Sequence, residues 1–137
     1  MQIKGAEVID PQQELFIALK SEIEKVYDTY DGALPPKGTP YPFVYLGKVT
    51  SQDDYGNKTM ILADVGFTIH IWSNDFKKRG THSAMLNKVK EIARSITSTT
   101  NYAWNVTGIY QQQLEDNTTK TPLLHGVLEI NYKLLGG

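Results

Sequence analysis

Between residues 58 and 73 the chain alternates with a period of two. Ile61, Ala63, Val65, Phe67, Ile69 and Ile71 make every odd position from 61 to 71 apolar, while Asp64, Thr68 and His70 fall on even ones. Successive side chains of a strand point to opposite faces, so this pattern demands a strand with one face in a core and the other turned outward. A helix would scatter the same residues around its circumference. The stretch therefore predicts a long strand in a half-covered antiparallel sheet.

Two amphipathic helices are available to cover that sheet. Asp10-Pro11-Gln12-Gln13 carries an N-cap aspartate, a proline suited to the first turn and a glutamine placed to complete a capping box. Leu15, Leu19, Ile23, Val26, Tyr27 and Tyr30 then recur at helical spacing, which predicts a first helix ending near Tyr30. A second helix is expected over residues 81 to 97, with Thr81 as its cap and Met85, Val89, Ile92 and Ile96 on one face. Between the first helix and the sheet, Pro35, Pro36, Pro40 and Pro42 forbid regular structure and read as a stiff surface connection.

Three further strands complete the reading. Residues 43 to 50 are rich in aromatic and branched side chains, and residues 102 to 114 and 123 to 135 form a pair joined by a polar turn. In the last of them Leu124, Leu128, Ile130, Tyr132 and Leu134 alternate with His125, Glu129, Asn131 and Lys133. The order α-β-β-α-β-β predicts an α+β fold in which two helices pack on one face of a four-stranded, mostly antiparallel sheet. With 137 residues, a single domain over 1–137 is the expectation, since neither side of the proline-rich connection would hold a core alone.

Composition bounds the function more than it defines it. No apolar run approaches the ~20 residues of a membrane helix, so no membrane partner is expected. The start of the chain lacks a secretory h-region, and there are no cysteines, which together fit a reducing compartment. A formal charge of −1 argues against a dedicated nucleic-acid binder, because gripping phosphates calls for a concentrated basic surface.

The charges are nonetheless segregated. Residues 1 to 31 hold seven acids against three lysines, and residues 77 to 94 hold six bases against Glu91 alone. Two readings are open: the solvated faces of two helices, or an acidic element that docks on a basic one within or between subunits. The second makes Glu14, Glu22, Lys88, Lys90 and Arg94 candidate subunit-interface residues.

Catalytic chemistry finds little to rest on. His70, His82 and His125 lack ligand spacing, although together with Asp64 or Glu129 they are the residues a metal site would have to use. There is no Gly-x-Ser-x-Gly elbow and no phosphate-cradling glycine loop. Trp72 and Trp104 offer stacking surfaces for a base or a sugar, yet fit a core or a subunit interface better. No catalytic, metal or cofactor residue is assigned. The polar stretch 51 to 57, with Gln52, Asp53, Asp54, Tyr55, Gly56 and Asn57, is longer than a hairpin requires and is the candidate partner-binding loop.

The order of elements, the run Pro40-Tyr41-Pro42-Phe43-Val44-Tyr45-Leu46-Gly47, the polar hairpin at 51 to 57 and Ile69-His70-Ile71-Trp72-Ser73 feeding a helix together resemble the tail-completion, or tail-terminator, proteins of long-tailed bacteriophages. The resemblance spans residues 10 to 135 and lies in order and spacing, since each motif alone is a strand or turn signature. It implies a non-enzymatic virion tail protein, assembled in the host cytoplasm, that forms a ring with itself, usually a hexamer. The ring sits at the head-proximal end of the tail tube, ends tube growth and presents the head–tail joining surface. Its implied partners are the tail tube protein and a connector or stopper protein, with DNA passing through the channel without specific binding. Alternatives are a neck or minor tail component of similar fold, or a small α+β enzyme or ligand-binding module.

Overall fold

The computed structural model describes residues 10–33, 35–56, 62–118 and 120–136. Its elements are α1 (Pro11–Glu24), β1 (Thr29–Asp31), β2 (Phe43–Asp53), β3 (Leu62–Ser73), α2 (Arg79–Ser95), β4 (Ala103–Asp116) and β5 (Leu123–Gly136), with a 3₁₀ turn at Phe76–Lys78 ahead of α2. The sheet has five strands in the order β1-β2-β3-β5-β4. Four of them form the expected antiparallel set, and β1 adds a parallel edge against β2, with Thr29 opposite Val44 and Asp31 opposite Leu46. The fold is thus α+β with a mixed sheet, where the sequence pattern predicted four strands.

The missing strand was hidden inside the predicted helix. α1 stops at Glu24, six residues before the expected end near Tyr30. The Thr29 hydroxyl donates to the Tyr27 carbonyl, and residues 29 to 31 then pair with β2. Tyr27 and Tyr30 are apolar at the right interval for a different reason: Tyr27 packs against the core, and Tyr30 meets the Phe43 ring edge-on at 5.7 Å. Val26, placed on the stripe by its spacing, is 47% exposed. Returning parallel to β1 needs a long connection, and the proline-rich stretch supplies it.

Both helix starts follow local chemistry. The Asp10 carboxylate accepts from the Gln13 backbone N–H at 3.0 Å, as an N-cap should. α2 begins at Arg79, so Thr81 lies inside the helix and is not its cap. Asp75 is the reason: its side chain accepts from the Lys77 N–H at 2.9 Å and starts the preceding 3₁₀ turn, which runs directly into α2.

The odd-numbered side chains of β3 from Val65 to Ile71 are buried, together with Leu128, Ile130, Tyr132 and Leu134 of β5 and Val44 and Leu46 of β2. Leu15, Leu19 and Ile23 of α1 and Met85, Leu86, Val89 and Ile92 of α2 complete one core on that face. Tyr132 spans the layers, donating its hydroxyl to the Ala93 carbonyl of α2 at 2.7 Å. Gly126 sets how closely α2 approaches, because a Cβ there would stand 2.7 Å from a Leu86 methyl. The opposite face of the sheet has no second layer of helices or strands among the described residues, only the proline-rich connection beside Phe43, Tyr45 and Trp72 at one end.

Candidate functional site

The uncovered face carries Tyr45 of β2, His70 and Trp72 of β3, and His125 of β5. The register sets Tyr45 opposite His70 and Trp72 opposite His125, which brings four rings onto adjacent strands. His125 lies flat on the Trp72 indole, with centroids 3.7 Å apart and planes 10° from parallel. His70 Nδ1 and His125 Nε2 share a hydrogen bond of 2.8 Å. With ring centroids 5.0 Å apart, the two imidazoles meet head to head through one shared proton.

This environment favours neutral imidazoles. Burial lowers the pKa of His70. Burial also drives His125 down to about 4, helped by His70 and His82, while the Asp116 carboxylate pulls the other way. The third histidine lies under the sheet, on the helix face. His82 is 1% exposed, its Nδ1 is 2.7 Å from the Ser73 hydroxyl, and burial together with Arg79 lowers its pKa. Its Nε2 has no hydrogen-bond partner among the described residues. Of the three histidines weighed as metal ligands, His70 and His125 are therefore brought together and His82 is not. No group of three or more His, Asp or Glu with metal-holding geometry occurs among the described residues.

Beside the ring cluster, the segment from Pro35 to Pro40 arches over Tyr41, Phe43, Tyr45 and Trp72 and leaves a groove of about 540 Å³ with Asp116 and Leu123 at its far wall. Neither His70 nor His125 lines it. The other tryptophan is a core residue: Trp104 is 1% exposed and donates its indole N–H to the Thr99 hydroxyl at 3.0 Å.

The candidate partner loop begins later than its sequence suggested. Ser51, Gln52 and Asp53 belong to β2, pairing with Val65, Asp64 and Leu62 of β3. They are exposed but held in the ladder. Polar side chains concealed the strand, because Ser51, Gln52 and Asp53 are all exposed and show no apolar alternation. Asp54 accepts the Gly56 N–H at 2.9 Å, and Tyr55 stands 81% exposed with its hydroxyl 3.3 Å from the Asp53 carboxylate. Asn57 lies outside the described residues.

The five candidate interface charges divide. Glu14 faces inward: its carboxylate accepts from the Asn101 backbone N–H at 2.7 Å and the Asn101 amide at 2.9 Å. Burial alone would raise its pKa, but hydrogen bonds from Thr99 and Asn101 prevail and the net shift is downward. Its two oxygens are thereby engaged within the subunit, joining α1 to the start of β4. Glu22 pairs with Lys25 and Lys88 with Glu91, each on its own helix. Lys90 and Arg94 form no ion pair among the described residues. α1 and α2 pack side by side in one subunit, and no ion pair joins the acidic helix to the basic one among the described residues.

The ring cluster itself was not foreseen. Its one signal was the pair His70 and Trp72, two residues apart and so on the same face of a strand. Adding His125 required knowing that β5, not β4, lies next to β3, and adding Tyr45 required the register of β2 on β3.

Compared with solved structures, the whole architecture is similar to a chain in the virion of a native gene transfer agent particle. The TM-score is 0.60 at 16% sequence identity, over 93% of this chain and 95% of the other. No protein-family model and no curated protein matches the sequence.

Proposed function

We propose that this chain is a structural virion component that acts as a tail terminator: a ring, most simply of six copies, at the head-proximal end of a tail tube. The observation that carries the reading is the end-to-end likeness of fold, 93% of one chain on 95% of the other, to a chain of an assembled virion particle. The family resemblance of the sequence supports the finer role. So does the division of surfaces: a one-layer sheet with an open face, a projecting hairpin tip with exposed Tyr55, and a basic α2 surface where Lys90 and Arg94 lack ionic partners among the described residues. Ring subunits need surfaces of this kind for the next copy, for the tube and for the neck.

In this reading Tyr55 and its neighbours Gln52, Asp53, Asp54 and Gly56 engage the tube or the connector. Glu22, Lys88, Lys90 and Arg94 lie along the contact between copies. The enzyme or ligand-module alternative would be favoured by a deep pocket gathering His70, His125 and acids, whereas the groove on this face is lined by Tyr45, Trp72 and Asp116 without either histidine. The test is cryo-electron microscopy of particles carrying the chain. A six-fold ring of this fold between tube and neck is the expected density, and its occurrence elsewhere in the particle would reject the terminator role.

A further inference from the structure

β4 forms one edge of the sheet; residues 97 to 99 bridge its outer backbone at Ala103 and Trp104, and beyond Trp104 it has no partner strand among the described residues. Proteins guard such edges with charges, proline, bulges or short length. This edge is fourteen residues long and has no charged residue or proline from Ala103 to Leu114. Its bulges fall at its start, between Ala103 and Trp104 and between Val106 and Gly108, so the ladder from Ile109 onward is regular. Tyr110 and Leu114 stand 60% and 41% exposed on the open face. On the helix face, the Gln111 side-chain carbonyl is covered and lacks a hydrogen-bond donor among the described residues.

We infer that the free chain pairs with a second copy of itself through β4, antiparallel about a two-fold axis at Gln112. The sequence Tyr110-Gln111-Gln112-Gln113-Leu114 is self-complementary about that centre. Directly opposite residues in this register share a face, so Tyr110 meets the second copy's Leu114, and both exposed apolar side chains become covered. On the other face Gln111 meets Gln113 of the second copy. Turning the Gln111 amide outward then gives its carbonyl the donor it lacks in the single subunit. The charges at the end of the strand do not oppose one another: Glu115 falls opposite Ile109, and is already held by Arg79 of its own subunit at 2.6 Å, while Asp116 falls opposite Gly108. The bulge at Gly108 ends the ladder at one side and the turn after Asp116 at the other. The two sheets continue into one, as isologous edge pairing requires. This contact goes beyond the ring and does not depend on it, since it uses the backbone edge of β4 and not Glu22, Lys88, Lys90 or Arg94.

The experiment is sedimentation of the intact chain with two single substitutions at exposed Gln112. The unmodified chain should sediment across a dilution series as a dimer of twice 15.4 kDa. Gln112→Lys, which places like charges face to face at the axis, should weaken it about tenfold or more while leaving the circular dichroism unchanged. Gln112→Cys tests the register in a chain without other cysteines: opposite Cα atoms about 4.5–5.5 Å apart lie within disulfide reach, so oxidation should cross-link it rapidly, and Asn105→Cys should not cross-link. A monomeric mass throughout would overturn the inference. So would a dimer or larger ring unaffected by Gln112→Lys, or equal cross-linking at positions 105 and 112.

Discussion

Glu14 and His125 are two side chains whose pKa in the fold departs from the ordinary value. Glu14 is held ionised by donors from Thr99 and Asn101, with its pKa below the ordinary 4.5. A folded pKa below the unfolded one means that its contribution is fully present above about pH 4.5 and is lost as pH falls through the folded value. Glu14→Gln should therefore cost about 1–3 kcal/mol near neutrality, with the gap to the parent closing below pH 4.5. His125 titrates at about 4 in the fold against an ordinary 6.5, so the folded state resists its protonation. Stability should be complete above pH 6.5, decline between 6.5 and about 4, and change no further from this group below that. His125→Asn should flatten the decline without abolishing it, because burial also lowers the pKa of His70 and His82. Chemical denaturation at a series of pH values measures both effects. A slope of opposite sign between pH 4 and 6.5 would contradict the neutral, hydrogen-bonded pair.

At the scale of elements, β3 separates its two faces sharply, with Phe67 and Ile69 buried in the core and His70 on the open side. Phe67→Ala should cost roughly 3–5 kcal/mol and Ile69→Ala roughly 2–5, as cavities in a packed interior. His70→Ala should cost clearly less, and equal losses at 69 and 70 in denaturant midpoints would mean that both faces are buried. The period-two pattern made this strand legible, as helical spacing did for α1 and α2. β1 was not legible, because Tyr30 continues the helical spacing and the three residues become a strand only by pairing with β2. The exposed end of β2 was equally opaque, since Gln52 and Asp53 lie beyond the core and show no apolar alternation. The hairpin tip follows from that boundary. Tyr55→Ala with Asp54→Ala removes only exposed side chains, so the melting temperature should hold, surface changes being worth about ±0.5 kcal/mol. Particle assembly should nevertheless fail at the tail. Normal virions from that variant would remove the recognition role.

The described residues form two layers, helices on a sheet, with a cluster of aromatic rings on the sheet face turned away from the helices. Sequence reading located the charges but could not say which were already occupied: Glu14 is drawn into the subunit by Asn101, while Lys90 and Arg94 form no ion pair among the described residues. If the basic face of α2 meets the next copy, Lys88→Glu with Lys90→Glu should weaken association of the ring and leave the subunit folded. The effect should fade in high salt, because exposed pairs give only about 0–1 kcal/mol each and act together. Ring mass compared at low and high salt measures this directly, and identical salt dependence in parent and variant would exclude a helix-to-helix contact. The central claim, however, is that the chain ends a growing tube. Its most direct test is the length distribution of tail tubes assembled with and without it, counted by electron microscopy. Uniform tubes carrying a ring at one end when the chain is present, and tubes of uncontrolled length when it is omitted, are the predicted result; an unchanged length distribution on omission would contradict it.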